Sequence, residues 1–222
     1  MYFPKPETDL RHFRLSRINE PQYRHMWWLL FWPAYLLRYF LVENLNPAST
    51  YHVMHCFLDD LIPFREGFLI FYASWYFLIV GVHLYTLLYD ADTFRRYTKF
   101  LCISVVISTA TFLLYPSCQE LRPAVFPRDN FLSRLVGLIY AVDTNTNVFP
   151  SEHVLGAFAA VAAAAHTRGL RKPGILAALT VLAVLICAST MFLKQHSVCD
   201  VLGALCLCPI VYFICYEKRG KS

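Results

Sequence analysis

The chain has 222 residues, of which 57% are hydrophobic, 16% aromatic and only 16% charged. A soluble domain carries about a quarter charged residues, so this balance points to a membrane protein. Twenty Lys and Arg against fifteen Asp and Glu give a formal charge of +5, spread between apolar runs rather than gathered in one stripe, which argues against a nucleic-acid partner.

Residues 1–25 are polar and basic, with Tyr2, Phe3, Phe13 and Tyr23 interleaved. No short apolar core with a small-residue cleavage site is evident, so this segment reads as a solvated tail that sets topology. Six apolar runs follow, at about 26–45, 67–89, 98–116, 152–167, 173–193 and 197–216. A helix needs roughly 20 residues to cross about 30 Å of hydrocarbon. The first run contains Pro33 and Arg38, the arginine placed to snorkel toward an interface. The second and fifth are the cleanest, the second carrying only His83. The fourth is short and Ala-rich from Phe158 to Ala165, which predicts packing inside the bundle.

Between the third and fourth runs, Phe131-Leu132, Leu135-Val136 and Leu138-Ile139-Tyr140 recur at helical spacing among Ser133, Arg134 and Gly137. This predicts an amphipathic helix in the headgroup plane. The expected fold is an all-α membrane protein with six transmembrane helices and an interfacial helix between spans three and four. Its parts are a basic N-terminal segment, 1–25, a transmembrane catalytic domain, 26–216, and a basic tail, 217–222. The eight cysteines lack CxxC or metal-type spacing. Cys102, Cys187, Cys206, Cys208 and Cys215 lie in apolar runs as small hydrophobes, and Cys56, Cys118 and Cys199 fall near the predicted outer surface.

Charge asymmetry sets direction. Lys5, Arg11, Arg14, Arg17, Arg24, Arg95, Arg96, Lys99, Arg168, Arg171, Lys172, Lys218, Arg219 and Lys221 lie on one side. The other side holds Arg65, Arg122, Arg128, Arg134 and Lys194. The positive-inside rule then predicts cytoplasmic termini, with Arg122, His153 and His196 on the extracytoplasmic face.

Three pieces on that face carry chemistry: Arg122-Pro123, Pro150-Ser151-Glu152-His153, and Lys194-Gln195-His196 followed by Asp200. His196 and Asp200 are four apart and share a helix face. A carboxylate on one ring nitrogen fixes the tautomer and leaves the other nitrogen's lone pair free to attack phosphorus. His153 lies in the first turn of a helix that Ser151 is placed to cap, where unpaired amides suit a phosphate. Arg122 and Lys194 are candidate phosphate-binding cations. No carboxylate cluster indicates a metal; Asp59-Asp60 is the only adjacent acidic pair, and no cofactor is implied. His52, His55 and His83 read as structural, and Glu152 as a helix-terminus charge.

These motifs resemble those of the type-2 phosphatidic acid phosphatase superfamily of membrane lipid phosphatases and phosphotransferases. Its signatures are Lys-x₆-Arg-Pro, Pro-Ser-Gly-His and Ser-Arg-x₅-His-x₃-Asp, matched here at Arg122-Pro123, Pro150–His153 and Ser189–Asp200. The resemblance covers about residues 110–205. It implies His196 as nucleophile, Asp200 as its partner, His153 as acid, and Arg122 and Ser151 as phosphate ligands. Tyr115 stands in the signature lysine position, Glu152 replaces the glycine and Thr190 the arginine, with Lys194 as a candidate replacement cation. The reaction this implies is metal-independent hydrolysis of phosphatidate or a related lipid phosphate or pyrophosphate through a phosphohistidine. The alternative is headgroup transfer to a lipid alcohol, since the Ser-Thr…Gln-His form resembles the sphingomyelin and inositol phosphorylceramide synthase branch. The partners implied are the lipid phosphate and membrane lipids; oligomeric state stays open.

Overall fold

Long apolar runs fold as helices in hydrocarbon because a helix satisfies its own backbone polar groups. The computed structural model describes residues 5–45 and 50–217; Tyr2, Phe3 and the basic residues Lys218, Arg219 and Lys221 lie outside the described residues. A 3-10 helix, Arg24–Leu30, leads into α1, Phe31–Leu45. There follow α2, Phe57–Leu61, α3, Leu69–Tyr89, α4, Ala91–Leu114, α5, Phe131–Val142, α6, Glu152–His166, α7, Pro173–Phe192, and α8, Val198–Tyr216. Their limits follow local chemistry. The Asp90 side chain accepts from the Thr93 amide at 2.9 Å to open α4, and Pro173 opens α7 with its fixed φ.

Among the described residues four stretches are long and apolar enough to cross a membrane: Glu66–Tyr89, Ala91–Leu114, Pro173–Phe192 and Val198–Tyr216. Phe77, Val106, Val184 and Ile210 face outward on these helices, the arrangement of a bundle surrounded by lipid. The predicted fourth run is α6, and it sits at the centre, packed against α3, α4, α7 and α8. Ala157, Ala159, Ala160, Ala163 and Ala164 are fully buried on it. Small side chains let four neighbours approach one helix closely. Tyr97, Phe100, Ile186 and Val211 fill the space around it.

Among residues 5–25, which read from sequence as a solvated tail, most side chains are exposed, but Thr8, Tyr23 and His25 are buried and dock the segment on the bundle. The amides of Glu7 and Thr8 donate to the Leu88 carbonyl at 2.9 and 3.1 Å, and Thr8 Oγ1 and His25 Nε2 each meet the Leu87 carbonyl at 3.1 Å. Tyr23 is buried and donates to the Asp9 carbonyl at 2.8 Å. The last turn of a helix leaves carbonyls without intrahelical donors, and this segment supplies them at the end of α3. A second departure is a parallel pair of two-residue strands, β1 (His52–Val53) and β2 (Ser117–Cys118), in which Cys118 is buried rather than at the surface. Strands this short carry no readable alternation.

Helix α5 forms where the amphipathic pattern predicts. Asn130 and Ser133 exchange side-chain and amide hydrogen bonds at 3.0 and 2.9 Å to cap it. Val136 is buried against Leu69, Tyr72 and Leu193, with Leu132, Leu135 and Ile139 packed around them. Phe131, Leu138 and Val142 face outward. All eight cysteines are free.

Candidate active site

The first turns of α6 and α8 lie side by side, tied by a hydrogen bond from the Ser151 amide to the Asp200 carbonyl at 3.2 Å. Ser197 caps α8: its hydroxyl accepts from the Cys199 amide at 3.1 Å, while its own amide donates to Asp200 Oδ2 at 2.9 Å. The same carboxylate oxygen lies 3.3 Å from His196 Nδ1. A carboxylate oxygen accepts, so this pairing favours the tautomer with the proton on Nδ1. Asp200 is fully buried, and its other oxygen has no protein partner among the described residues.

His153, on the facing turn of α6, lies with its ring centre 5.6 Å from that of His196. It is held between Tyr72 and Trp75 of α3, at 4.6 and 4.7 Å between ring centres, and Trp75 Nε1 donates to the His153 carbonyl at 3.0 Å. Close contact also holds the segment before α6. A Cβ on Gly203 would sit 2.2 Å from the ring of Phe149, so only glycine lets α8 pass this closely. Ser151 is fully buried and its hydroxyl has no partner among the described residues.

Both histidines open on a cavity of about 520 Å³. Tyr35, Arg38, Tyr39 and Glu43 of α1 line one wall, Tyr72, Trp75 and Tyr76 of α3 another, and Asp143, Glu152 and Gln195 complete it. Arg122, Ser151, Lys194 and Asp200 stand behind this lining. The Arg122 guanidinium lies over the Tyr140 ring at 4.4 Å and donates to the carbonyls of Asp143 and Thr144, both at 2.8 Å, and to Gln195 Oε1 at 2.6 Å. Burial pulls its pKa below the ordinary value, and the Asp143 charge resists that shift. Gln195 passes the link on, donating to Asp143 Oδ2 at 3.0 Å. Tyr72 and Tyr39 donate to the two Asp143 oxygens at 3.1 and 3.2 Å. Arg122 therefore braces the residue beside His196.

Lys194 turns the other way. It adopts φ 53, and its ammonium donates to the Asp59 carbonyl of α2 at 2.8 Å. Burial lowers its pKa, opposed by the charges of Asp59 and Asp60. The Asp59 carboxylate accepts from the Ser197 hydroxyl at 2.6 Å, the Val198 amide at 2.8 Å and the Cys56 amide at 2.8 Å. Burial pushes the Asp59 carboxyl up, but these hydrogen bonds outweigh it and leave it below its ordinary value. The sequence showed Asp59 only as half of an acidic pair, with nothing to link it to the start of α8.

Two further residues lie elsewhere than expected. Arg38 does not snorkel outward: its Nη1 is 2.9 Å from Glu152 Oε1, and Tyr35 donates to Glu152 Oε2 at 3.1 Å. Glu152 is thus one half of an internal ion pair. Thr190 and Tyr115, which stand where the signatures carry cations, serve other contacts. Thr190 is buried with its hydroxyl on the Cys187 carbonyl, and Tyr115 stacks on His52 at 4.1 Å. His83 is structural, surrounded by Trp32, Phe94 and Tyr97 with Thr98 Oγ1 at 3.2 Å. Among the described residues no three His, Cys, Asp or Glu side chains are grouped to hold a metal ion.

A helical membrane bundle with two neighbouring histidines opening on one cavity, one of them backed by a carboxylate, has the parts of a phosphoryl-transfer enzyme. The chain belongs to the PAP2 superfamily, whose family model matches residues 97–222, from α4 through α8. Members are typically phosphatases, and the family supports phosphatase- or phosphotransferase-type activity on lipid phosphates. No protein of curated function and no solved structure matches the chain significantly.

Proposed function

We propose that this protein is a metal-independent lipid phosphate phosphatase that works through a phosphohistidine. The observation that carries the reading is His196, held by Asp200 at Nδ1 and set beside His153 on the lining of one cavity. Nε2 of His196 attacks phosphorus in line while the bond from phosphorus to the lipid oxygen breaks. His153 gives its proton to the departing lipid alcohol. A water molecule then attacks the phosphohistidine, His153 takes the water's proton, and inorganic phosphate leaves with His196 restored. Asp200 stabilises the imidazolium character that grows on His196 in each step. The amides opening α6 serve the phosphate oxygens, and Ser151, buried behind the lining, holds the start of that helix against α8 through its amide. Arg122 and Lys194 serve by position, through Gln195 and through Asp59.

In this reading α1 and α6 complete a six-span bundle, and α5 lies in the headgroup layer with Phe131, Leu138 and Val142 toward lipid. The basic loops and both termini are cytoplasmic, which places the cavity on the extracytoplasmic face.

The cavity favours a second reading, headgroup transfer. At about 520 Å³ it exceeds what a phosphate alone needs, and Glu43, Asp143 and the tyrosines offer partners for a hydroxylated or cationic headgroup. The two readings share the attack by His196 and differ in whether water or a lipid alcohol accepts from the intermediate. The test is detergent-purified protein with EDTA present, beside His196→Ala, offered lipid phosphates and then diester donors with lipid alcohols. Phosphate release that vanishes in the variant supports hydrolysis. A new phosphodiester without free phosphate supports transfer. Neither product from the wild-type protein refutes both.

A further inference from the structure

The two signature cations are absent at Tyr115 and Thr190, and Arg122 and Lys194 are both engaged behind the cavity. A phosphate beside His196 would still meet Glu43 and Asp143 in the lining, and their negative charge would repel it. Among the described residues that line this cavity, Arg38 is the only Lys or Arg. It lies on α1, outside the stretch matched by the family.

Its donors are only partly used. Nε donates to Thr109 Oγ1 at 2.7 Å, and that hydroxyl donates in turn to the Val105 carbonyl at 2.6 Å. Nη1 faces Glu152, and Nη2 is buried with no hydrogen-bond partner among the described residues. A guanidinium presents five N–H donors in a fixed fork, and Nη2, packed beside the Phe112 ring, holds unused donors that a turn of the side chain would bring to an incoming oxyanion. Glu152 directly precedes His153 in the first turn of α6, so the ion pair keeps the guanidinium near the reacting histidines.

Arg38 and Tyr35 also line a second space, an open apolar groove of about 720 Å³ between α1 and α4. Trp28, Phe31, Ala34, Val106, Ala110 and Leu113 form its walls. Along α4 the lining runs from Cys102 to Leu113, about 16 Å at the helical rise. One end is hydrocarbon-like and the other is a guanidinium at the mouth of the histidine cavity. That sequence of surfaces matches one amphiphile, an apolar chain ending in a phosphate.

We propose that Arg38, tethered by Glu152, is the phosphate-binding cation of this enzyme, and that the α1–α4 groove takes the hydrocarbon chain of the same substrate. The proposal rests on the lipid-phosphate reading above, and a binding measurement separates the two. The probes are a long-chain lipid phosphate, p-nitrophenyl phosphate, and a non-hydrolysable lipid phosphonate whose affinity is read by isothermal calorimetry. Arg38→Met should raise KM for both esters and weaken phosphonate binding about 10-fold to 100-fold, the loss of a charge-assisted contact. Arg38→Lys should recover part of it, since a point charge replaces the fork. Ala110→Trp should raise KM for the long-chain ester far more than for p-nitrophenyl phosphate. Phosphonate binding that depends on Arg38 supports the proposal even if no ester is turned over, a result that would count against the catalytic reading alone. Phosphonate affinity or KM unchanged in a folded Arg38→Met protein, or no phosphonate binding by the wild type, overturns it.

Discussion

Asp59→Asn tests whether a carboxylate distant in sequence holds the turn that carries His196. The Asp59 carboxylate is buried, 2% exposed, and takes three donors: the Ser197 hydroxyl, the Val198 amide and the Cys56 amide. In the asparagine variant one oxygen still accepts from Val198 or from Ser197. The new NH₂ must face a donor, and the Ser197 hydroxyl can turn to accept from it while the Cys56 amide cannot. The loss is that of charge-assisted bonds in a buried place, about 1.5–3 kcal/mol. At roughly 2–4 °C per kcal/mol for a chain of this size, melting should fall by about 3–12 °C.

The same carboxyl sits below its ordinary pKa in the folded protein, so its contribution has a defined pH course. A depressed carboxyl stabilises the fold above its unfolded pKa of about 3.9, and that stability drains away as pH falls through the folded value. The melting gap between wild type and Asp59→Asn should therefore be constant above about pH 5 and narrow in acid. Since Ser197 follows His196, kcat should fall as well, with KM less affected. Melting of both proteins in detergent across acid and neutral pH provides the assay. Equal melting temperatures at neutral pH, or a gap that widens in acid, would refute the reasoning.

Other substitutions probe the site itself. His196→Ala should abolish phosphate release or headgroup transfer while leaving expression and melting intact, as read by phosphate assay and lipid chromatography. Asp200→Asn should lower kcat by a smaller factor, of order 10²–10⁴, because the tautomer and orientation of His196 are lost while the nucleophile remains. Arg122→Lys keeps a charge but cannot reproduce the planar group that reaches the Tyr140 carbonyl through Nη1 and Asp143, Thr144 and Gln195 through Nη2, so both melting temperature and kcat should drop. Gly203→Ala puts a methyl 2.2 Å from the Phe149 ring, and the forced shift should cost about 1–3 kcal/mol, measurable as a lower melting temperature.

The long helices were legible because hydropathy and run length act locally: α3, α4, α7 and α8 follow from their own residues, and α5 from its period. So were the two histidines and Asp200, since their relation depends on the first turn of a helix and a four-residue spacing. The direction taken by long polar side chains was not. Lys194 lies two residues from His196 yet reaches to Asp59, and Arg122, aligned with a phosphate-binding signature, instead braces Gln195. Arg38 and Glu152, which the sequence offers as a snorkelling cation and a helix-terminus charge, meet each other across more than a hundred residues.

Sequence by itself determined that this is a membrane bundle of the PAP2 superfamily carrying a His-His-Asp set, because composition, periodicity and short motifs are properties of neighbouring residues. Only the tertiary structure decided which charges neutralise one another, which cation faces the cavity and where the N-terminal segment docks. A buried ion or an unpaired carbonyl takes whatever partner packing brings within about 3 Å, and that partner can come from anywhere along the chain.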